Sequence, residues 1–439
     1  MSETLPNATL DAALAEAREA YVARNPASLA AHVEAAASLP GGNTRTVLFH
    51  GPFPLLMARG KGCRLWDADG HGYVDLLGEY TAGLYGHSHP VIRAALDRAL
   101  DRGWNMGGHG AMEARLARLV CARFPSVELV RFTNSGTEAN LMAIATAVAA
   151  TGRRKVMVFD GAYHGGVLYF GGGGSTVNVP HDWVVAPYND AAGAAALIEE
   201  HAEDLACVLV EPMLGSGGCI PAEPTFLQAL RDAADRAGAV LVFDEVMTSR
   251  MSAGGQQARL GIAPDMTTLG KYIGGGMSFG AFGGKRALME LYDPRRPDAL
   301  PHAGTFNNNV LTMHAGVAGL EEVFTAEAAD RLFNRGEALR ARLDAAAAER
   351  GAPVRWTGLG SLMAPHFVRG PVRRPADVAD DDPRLRELLF LDMLGRGFYL
   401  AKRGMVALSL EVGAAERDGF AAAFADWLDA RGRLLAGKS

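Results

Sequence analysis

With 439 residues, 49% of them hydrophobic and 21% charged, the chain is long enough for a large single-domain or two-domain enzyme. A net charge of −6 offers no basic face to nucleic acid, and no uninterrupted apolar run approaches a membrane span. Four scattered cysteines, Cys63, Cys121, Cys207 and Cys219, form no CxxC pair, which argues against a disulfide framework or a zinc site.

At the N-terminus, MSETLPNATLDAALAEAREA is acidic and amphipathic and lacks the basic and apolar regions of a signal peptide, so a cytoplasmic location is expected. Residues 10–38 carry apolar positions at helical spacing, broken at Asn25-Pro26, which predicts two helices. CRLWDADGHGYVDLL (63–77) sets Asp69-Gly70 between apolar runs and predicts a hairpin. From about residue 90, helical stretches at 90–102, 112–123, 136–150, 190–201 and 224–237 alternate with strand-like runs. The runs are VELVRFT (127–133), KVMVFD (155–160), WVVAP (183–187), ACVLVEP (206–212) and AVLVFDE (239–245), and MTTLG (266–270) adds a short strand. This alternation predicts an α/β fold with a mostly parallel sheet covered on both faces. GGGGS (171–175) reads as a flexible tip or an active-site loop. Beyond about residue 320 the composition turns rich in Ala, Arg and Leu, with helices expected at 326–350 and 415–436 in a smaller C-terminal domain. There are no internal repeats.

Open parallel sheets bind ligands beyond the carboxyl ends of their strands, so the residues following each strand are the candidates. VELVRFT runs into Asn134-Ser135-Gly136-Thr137 and a helix. Free N–H groups, two hydroxyls and a glycine make a phosphate cup there, and Ser135 with Glu138 also reads as a capping box. KVMVFD leads to Gly161-Ala162-Tyr163-His164-Gly165-Gly166, where an aromatic could stack on a flat ligand or pack a turn. ACVLVEP ends in Glu211-Pro212, and AVLVFDE places Asp244 at the end of a strongly apolar strand, a costly position for an unpartnered carboxylate. MTTLG is followed by Lys271, which apart from Tyr272 is the only ionisable residue between Asp265 and Lys285. A solvated loop lysine is the ordinary alternative to an amine kept partly neutral for chemistry.

A phosphate cup, a stacking aromatic, an acid and a lone lysine at strand ends suit pyridoxal 5′-phosphate, which needs a lysine for its Schiff base and an acid on its pyridine nitrogen. Nucleotide readings fit less well. Gly270-Lys271 is followed by Tyr272 and not by the Ser or Thr of a Walker A loop, and GSGGCI (215–220) and GLGSLM (358–363) lack the third glycine of a dinucleotide fingerprint. No HExxH occurs, His87-Ser88-His89 reads as a loop, and no metal site is expected.

NSGTEAN (134–140), GAYHG (161–165), FDEV (243–246), TTLGKYIGGG (267–276) and HAGTFNNN (302–309) together resemble class III, fold-type I aminotransferases, in order and over most of the chain from about residue 40. PGGNTRTVLF (40–49) resembles the glutamate-1-semialdehyde aminomutase branch. EYTAGLYGHS (79–88), DEVMTSR (244–250), GKYIGGGMSFGAFGG (270–284) and GTFNNNVLTM (304–313) are similar to the β-phenylalanine aminotransferases of that branch. The resemblance implies a large cofactor-binding domain over 61–320 and a small domain built from the N-terminal segment 1–60 and the C-terminal part 321–439. It implies that Lys271 bonds the cofactor, Asp244 holds the pyridine nitrogen, Ser135, Gly136 and Thr137 cup the phosphate, and Tyr163 and Val246 sandwich the ring. His164 and Glu211 complete the expected cofactor contacts. Thr305 matches the residue that reaches the phosphate of a neighbouring subunit, which implies a homodimer with shared sites.

A transaminase also needs a handle for its substrate carboxylate, which a guanidinium supplies. Arg45, in PGGNTRTVLF, and Arg403, in the nearly apolar FYLAKRGMVALSL, match the arginines that grip carboxylates in the β-phenylalanine group. Tyr80, Phe49 and Met277 are candidate pocket walls, with core packing as the alternative for the last two. Val310, Ser278-Phe279 and LSLEVGAAERD (408–418) depart from the patterns of many class III members and of the aminomutases. The expected activity is transfer of an amino group from a β-amino acid, aromatic such as β-phenylalanine, to an α-keto acid such as 2-oxoglutarate or pyruvate. The alternatives are a glutamate-1-semialdehyde-type aminomutase and a catalytically silent cofactor-fold binding protein.

Overall fold

The computed structural model describes residues 9–435; the first eight residues of the N-terminal segment and the end of the last predicted helix, residue 436, lie outside the described residues. Helices α1 (Leu10–Arg24) and α2 (Pro26–Ala36) meet at Asn25, with Pro26 opening α2 where its missing N–H costs nothing. Strands β1 (Met57–Lys61), β2 (Arg64–Asp67) and β3 (Gly72–Asp75) form the antiparallel ribbon that contains the predicted hairpin. Asp67 ties its turn, accepting from the His71 N–H at 2.8 Å and the Tyr73 hydroxyl at 2.6 Å.

After helices α3 (Pro90–Arg102) and α4 (Ala111–Arg123) comes the central sheet. Its strands are β4 (Leu129–Thr133), β5 (Lys155–Phe159), β6 (Asp182–Ala186), β7 (Leu205–Val210), β10 (Val240–Asp244), β11 (Met266–Gly270) and β12 (Gly280–Gly284), while β8 (Met213–Leu214) and β9 (Ile220–Pro221) pair in a small separate ribbon. Spatial order is β4-β12-β11-β10-β7-β5-β6, and every strand is parallel to its neighbours except β12, antiparallel to both of its own. Every residue of β7, β10 and β11 is buried, as continuous apolar runs require when helices cover both faces. Helix α5 (Gly136–Thr151) packs on β7, β11 and β12, and α7 (Pro224–Ala237), beside α6 (Ala191–Glu200), on β7 and β10.

β12 is absent from the predicted strands, because GAFGG lacks the β-branched residues that mark them. The glycines are steric: a Cβ on Gly280 would sit 2.0 Å from the Ser135 carbonyl oxygen.

The C-terminal part carries the predicted helices, Ala326–Glu349 and Ala414–Leu435, packed on each other beside β13 (Arg355–Leu359) and β14 (Leu362–His366). Trp356, Phe424 and Trp427 fill that interface. Two further strands, β15 (Phe398–Tyr399) and β16 (Val406–Ala407), return the chain to its beginning: β15 lies parallel to β3, and the Ala407 N–H reaches the Leu76 carbonyl at 2.7 Å. Among the described residues, no helix is long and apolar enough to cross a membrane.

Candidate active site

Register puts the strand ends level. Asp244 pairs with Thr268, Phe243 with Val210, Gly270 with Gly280, and Gly280 with Thr133. Asn134, Glu211, Asp244 and Lys271 therefore leave the sheet at one edge, where a parallel sheet offers its ligand crevice.

At that edge Ser135 caps α5, its Oγ accepting the Glu138 N–H at 3.2 Å. Glu138 Oε2 takes the N–H of Asn134 at 3.0 Å and not that of the cap itself, so the capping box is displaced by one residue. The first-turn N–H groups of Gly136 and Thr137 have no intrahelical acceptor, so the cap leaves the anion cup open. Gly165 closes in on Thr137: its φ is +132°, and a Cβ there would lie 2.2 Å from Thr137 Oγ1. Val246 faces the same helix start, within 2.9 Å of where a Gly136 Cβ would stand.

Asp244 is buried and fully engaged on one oxygen. Its Oδ2 accepts from Asn140 Nδ2 and His164 Nδ1, both at 2.8 Å, and its Oδ1 accepts the Val246 N–H at 2.9 Å. Asn140 is itself fixed by the Thr268 hydroxyl at 2.6 Å and the His164 carbonyl at 2.9 Å. The buried Nε2 of His164 has no partner. Glu211, also buried, accepts the N–H groups of Tyr163 (2.9 Å) and Gly215 (3.0 Å), and burial pushes its carboxyl well above the usual range. It anchors the turn that carries Tyr163, a residue 43% exposed whose ring leans on Tyr169 at 6.0 Å between centroids.

Lys271, the first residue after β11, has φ +58°, a left-handed conformation uncommon outside glycine and concentrated at functional sites. Its ammonium makes no hydrogen bond among the described residues, and its pKa is lowered to about 8, first by burial and then by Arg403 and Arg45, against the pull of Asp244 and Glu79.

Arg45 and Arg403 converge on one ring. Their guanidinium carbons lie 5.5 Å and 5.3 Å from the centroid of Tyr80, whose hydroxyl donates to the Val47 carbonyl at 3.0 Å. Arg45 also pairs with Glu79, and the Nε of Arg403 is buried without a partner. Of the other expected walls, Phe49 is 41% exposed, and Met277 packs on the main core. Thr305 stands on an exposed loop that touches the cup through Asn307, whose Oδ1 accepts from Asn134 Nδ2 at 3.0 Å.

Sequence reasoning passed over Asn140, Thr268 and Glu79. All three lie inside the motifs NSGTEAN, TTLGKYIGGG and EYTAGLYGHS, but each gains its role only from contacts across the fold. His87 and His89 are structural: His87 pairs with Asp75 at 2.9 Å, and His89 caps α3. No cluster able to hold a metal exists among the described residues.

The donors suit a phosphorylated pyridine aldehyde. The cup would take the anion, Asp244 Oδ1 has a lone pair left beyond the Val246 N–H that would meet a ring nitrogen, and the glycines leave room for a flat ring.

Residues 49–404 match the model of the family described as aminotransferase class-III. The chain is 56% identical over 431 residues to the beta-phenylalanine transaminase of Variovorax paradoxus, covering 98% of this chain and 99% of that protein. The crystal structure of a β-phenylalanine aminotransferase from the same organism superposes with a TM-score of 0.96, over 97% of this chain and 99% of that one. A transaminase with PLP bound is 34% identical, with a TM-score of 0.84 over 94% and 99% of the two chains. A glutamate-1-semialdehyde 2,1-aminomutase of Sorangium cellulosum is 38% identical over 394 residues, 86% of this chain and 90% of that protein. The family model runs from the loop after Arg45 through Arg403, taking in the whole strand edge, and the chain belongs to the class III aminotransferases.

Proposed function

We propose that this enzyme takes the amino group from a β-amino acid with an aromatic side chain, of the β-phenylalanine type, and gives it to an α-keto acid such as 2-oxoglutarate or pyruvate. The observation that carries the reading is the convergence of Arg45 and Arg403 on Tyr80, two positive charges that also help to lower the pKa of Lys271. A β-amino acid holds its carboxylate one carbon farther from its nitrogen than an α-amino acid does. Two guanidinium handles in one pocket suit two substrates that differ in that way. The beta-phenylalanine transaminase of Variovorax paradoxus, 56% identical, supports the same donor class.

As a class III aminotransferase the enzyme depends on pyridoxal 5′-phosphate, which supplies the aldehyde that carries the amino group and the ring that draws electrons from the substrate carbon. Ser135, Gly136 and Thr137 would hold its phosphate, and Tyr163 and Val246 would face its ring. Asp244 keeps a proton on the ring nitrogen, and His164 and Asn140, both bonded to Oδ2, hold that carboxylate in place. Lys271, with a pKa near 8, presents a substantial neutral fraction of amine at mildly alkaline pH. Its Nζ would take the proton from the amino-bearing carbon of the donor and pass it to the cofactor within the same half-reaction, and would carry a proton the opposite way in the acceptor half-reaction. Arg45 grips the carboxylate of the β-amino donor, and Arg403 that of the keto acid.

The working form is a cytoplasmic homodimer with shared sites. The loops at 104–110 and 302–308 touch through Asn308 Nδ2 and the Gly108 carbonyl at 3.4 Å, and they expose Trp104, Met106 and Phe306, which supports a second copy covering that face beside Thr305.

The test is a pair of variants followed in separate half-reactions. Arg45→Ala is expected to impair the β-amino donor, and Arg403→Ala the keto acid, each by on the order of 2–4 kcal/mol, or roughly 30- to 1,000-fold in kcat/KM. Equal losses in both half-reactions would defeat the two-handle reading. Interconversion of an amino aldehyde without any second substrate would establish an aminomutase instead.

A further inference from the structure

Arg250 is the most unusual charge outside the cofactor site. It is 1% exposed, and no carboxylate lies within ion-pair distance among the described residues. Its Nη1 donates to the Thr81 carbonyl at 3.4 Å and its Nη2 to the Leu408 carbonyl, while Nε has no partner. Burial lowers its pKa to about 10, against the opposing pull of Tyr272 and Tyr85. Apolar side chains of similar volume commonly replace buried charges without loss of stability, so packing alone does not explain an arginine here.

The two carbonyls it joins give the reason. Thr81 ends a turn in which four successive residues, Gly78, Glu79, Tyr80 and Thr81, have φ of +54°, +47°, +50° and +83°. Three of these are not glycine, and such a run persists only where its surroundings over-determine it. Asp75 Oδ1 holds the entry, accepting the N–H groups of Leu77 and Gly78 at 2.9 Å each, and Arg250 holds the exit. The turn carries Tyr80, the ring under both arginine handles, and Glu79, the partner of Arg45. Leu408 lies in the segment that follows Arg403 and runs against the turn, its path fixed by Ala407 N–H to the Leu76 carbonyl at 2.7 Å.

We propose that Arg250 is a positioning residue for substrate: one planar guanidinium ties the turn beneath Tyr80 to the segment after Arg403 and so fixes the spacing of the two carboxylate handles. The proposal rests on the reading of Arg45 and Arg403 as those handles. Arg250 follows Asp244 by six residues, so the chain that supplies the cofactor's acid also sets the substrate's grip. A lysine has no fork to bridge two carbonyls from two segments.

The experiment uses the full-length, cofactor-loaded Arg250→Lys and Arg250→Met variants, with KM and kcat measured in each half-reaction beside cofactor absorbance and melting temperature. In Arg250→Met, KM is expected to rise about tenfold or more for both donor and acceptor, with kcat and the cofactor spectrum near wild type and Arg250→Lys intermediate. If the methionine variant fails to fold, the lysine variant decides on the same KM criterion. Soluble, loaded variants whose KM values stay within about twofold of wild type overturn the proposal, as does a fall in melting temperature or cofactor occupancy with KM unchanged. Acting through Arg403, the Arg250→Met/Arg403→Ala pair should lose no more in the acceptor half-reaction than the larger single loss; additive losses overturn the link. A different outcome, in which Arg45→Ala and Arg403→Ala alone leave both half-reactions intact, disproves the handles and not the Arg250 contacts.

Discussion

At the scale of single residues, Lys271 combines a left-handed backbone with an amine whose charged form is disfavoured. Borohydride reduction followed by peptide mass spectrometry should find the cofactor on Lys271, and Lys271→Ala should fold and bind cofactor without turnover; attachment to another lysine refutes the assignment. A pH effect follows from the same shift. Because the folded pKa is about 8 against an ordinary 10.5, the unfolded chain binds more protons between those values, and stability gains with rising pH across that window. Cofactor-free Lys271→Met should therefore melt above wild type at neutral pH, with the gap closing between pH 8 and about 10.5. Asp244→Asn is expected to lower kcat by on the order of 10³-fold with little change in melting temperature, since an amide cannot keep the ring nitrogen protonated. Near-normal turnover would remove Asp244 from that role. Lys271, Asp244 and Ser135 were readable because each breaks a local pattern: a lone charge among glycines, an acid ending an apolar strand, a hydroxyl opening a helix. Arg250, Glu79 and Thr268 break no such pattern, and only partners far along the chain give them meaning.

At the scale of elements, the start of α5 does two jobs, capping a helix and presenting N–H groups to an anion. Ser135→Ala should cost about 1 kcal/mol of stability in the cofactor-free protein through the lost cap, read as a drop in melting temperature. Cofactor affinity should fall as well, and an unchanged affinity would leave Ser135 as a cap only. The parallel strands were plain in the sequence because burial on both faces demands continuous apolar runs. β12 was hidden by its glycines, and Pro383–Gly395 and Val310–Ala318 were passed over as helices. Pro383–Gly395 is apolar on most sides, with seven of its residues buried, which erases the amphipathic stripe that marks a surface helix. Asn309, whose side chain accepts from Leu311 and Thr312, starts Val310–Ala318 from within a run that reads as loop.

At the scale of the whole molecule, activity is expected to follow dimer formation, because Thr305 is exposed in one chain and is proposed to complete the site of another. Sedimentation across a dilution series, with activity measured on the same samples, checks this; a fully active monomer contradicts it. The site also draws unevenly on the length of the chain. The residues expected to hold the cofactor within one subunit fall between Ser135 and Lys271, whereas the substrate arginines stand near opposite ends, and β15 returns to β3 only when synthesis is almost finished. Contacts so distant in sequence close late, since the loop between them must lose its entropy first. A chain emerging from the ribosome thus contains its cofactor residues long before it can recognise an amino acid.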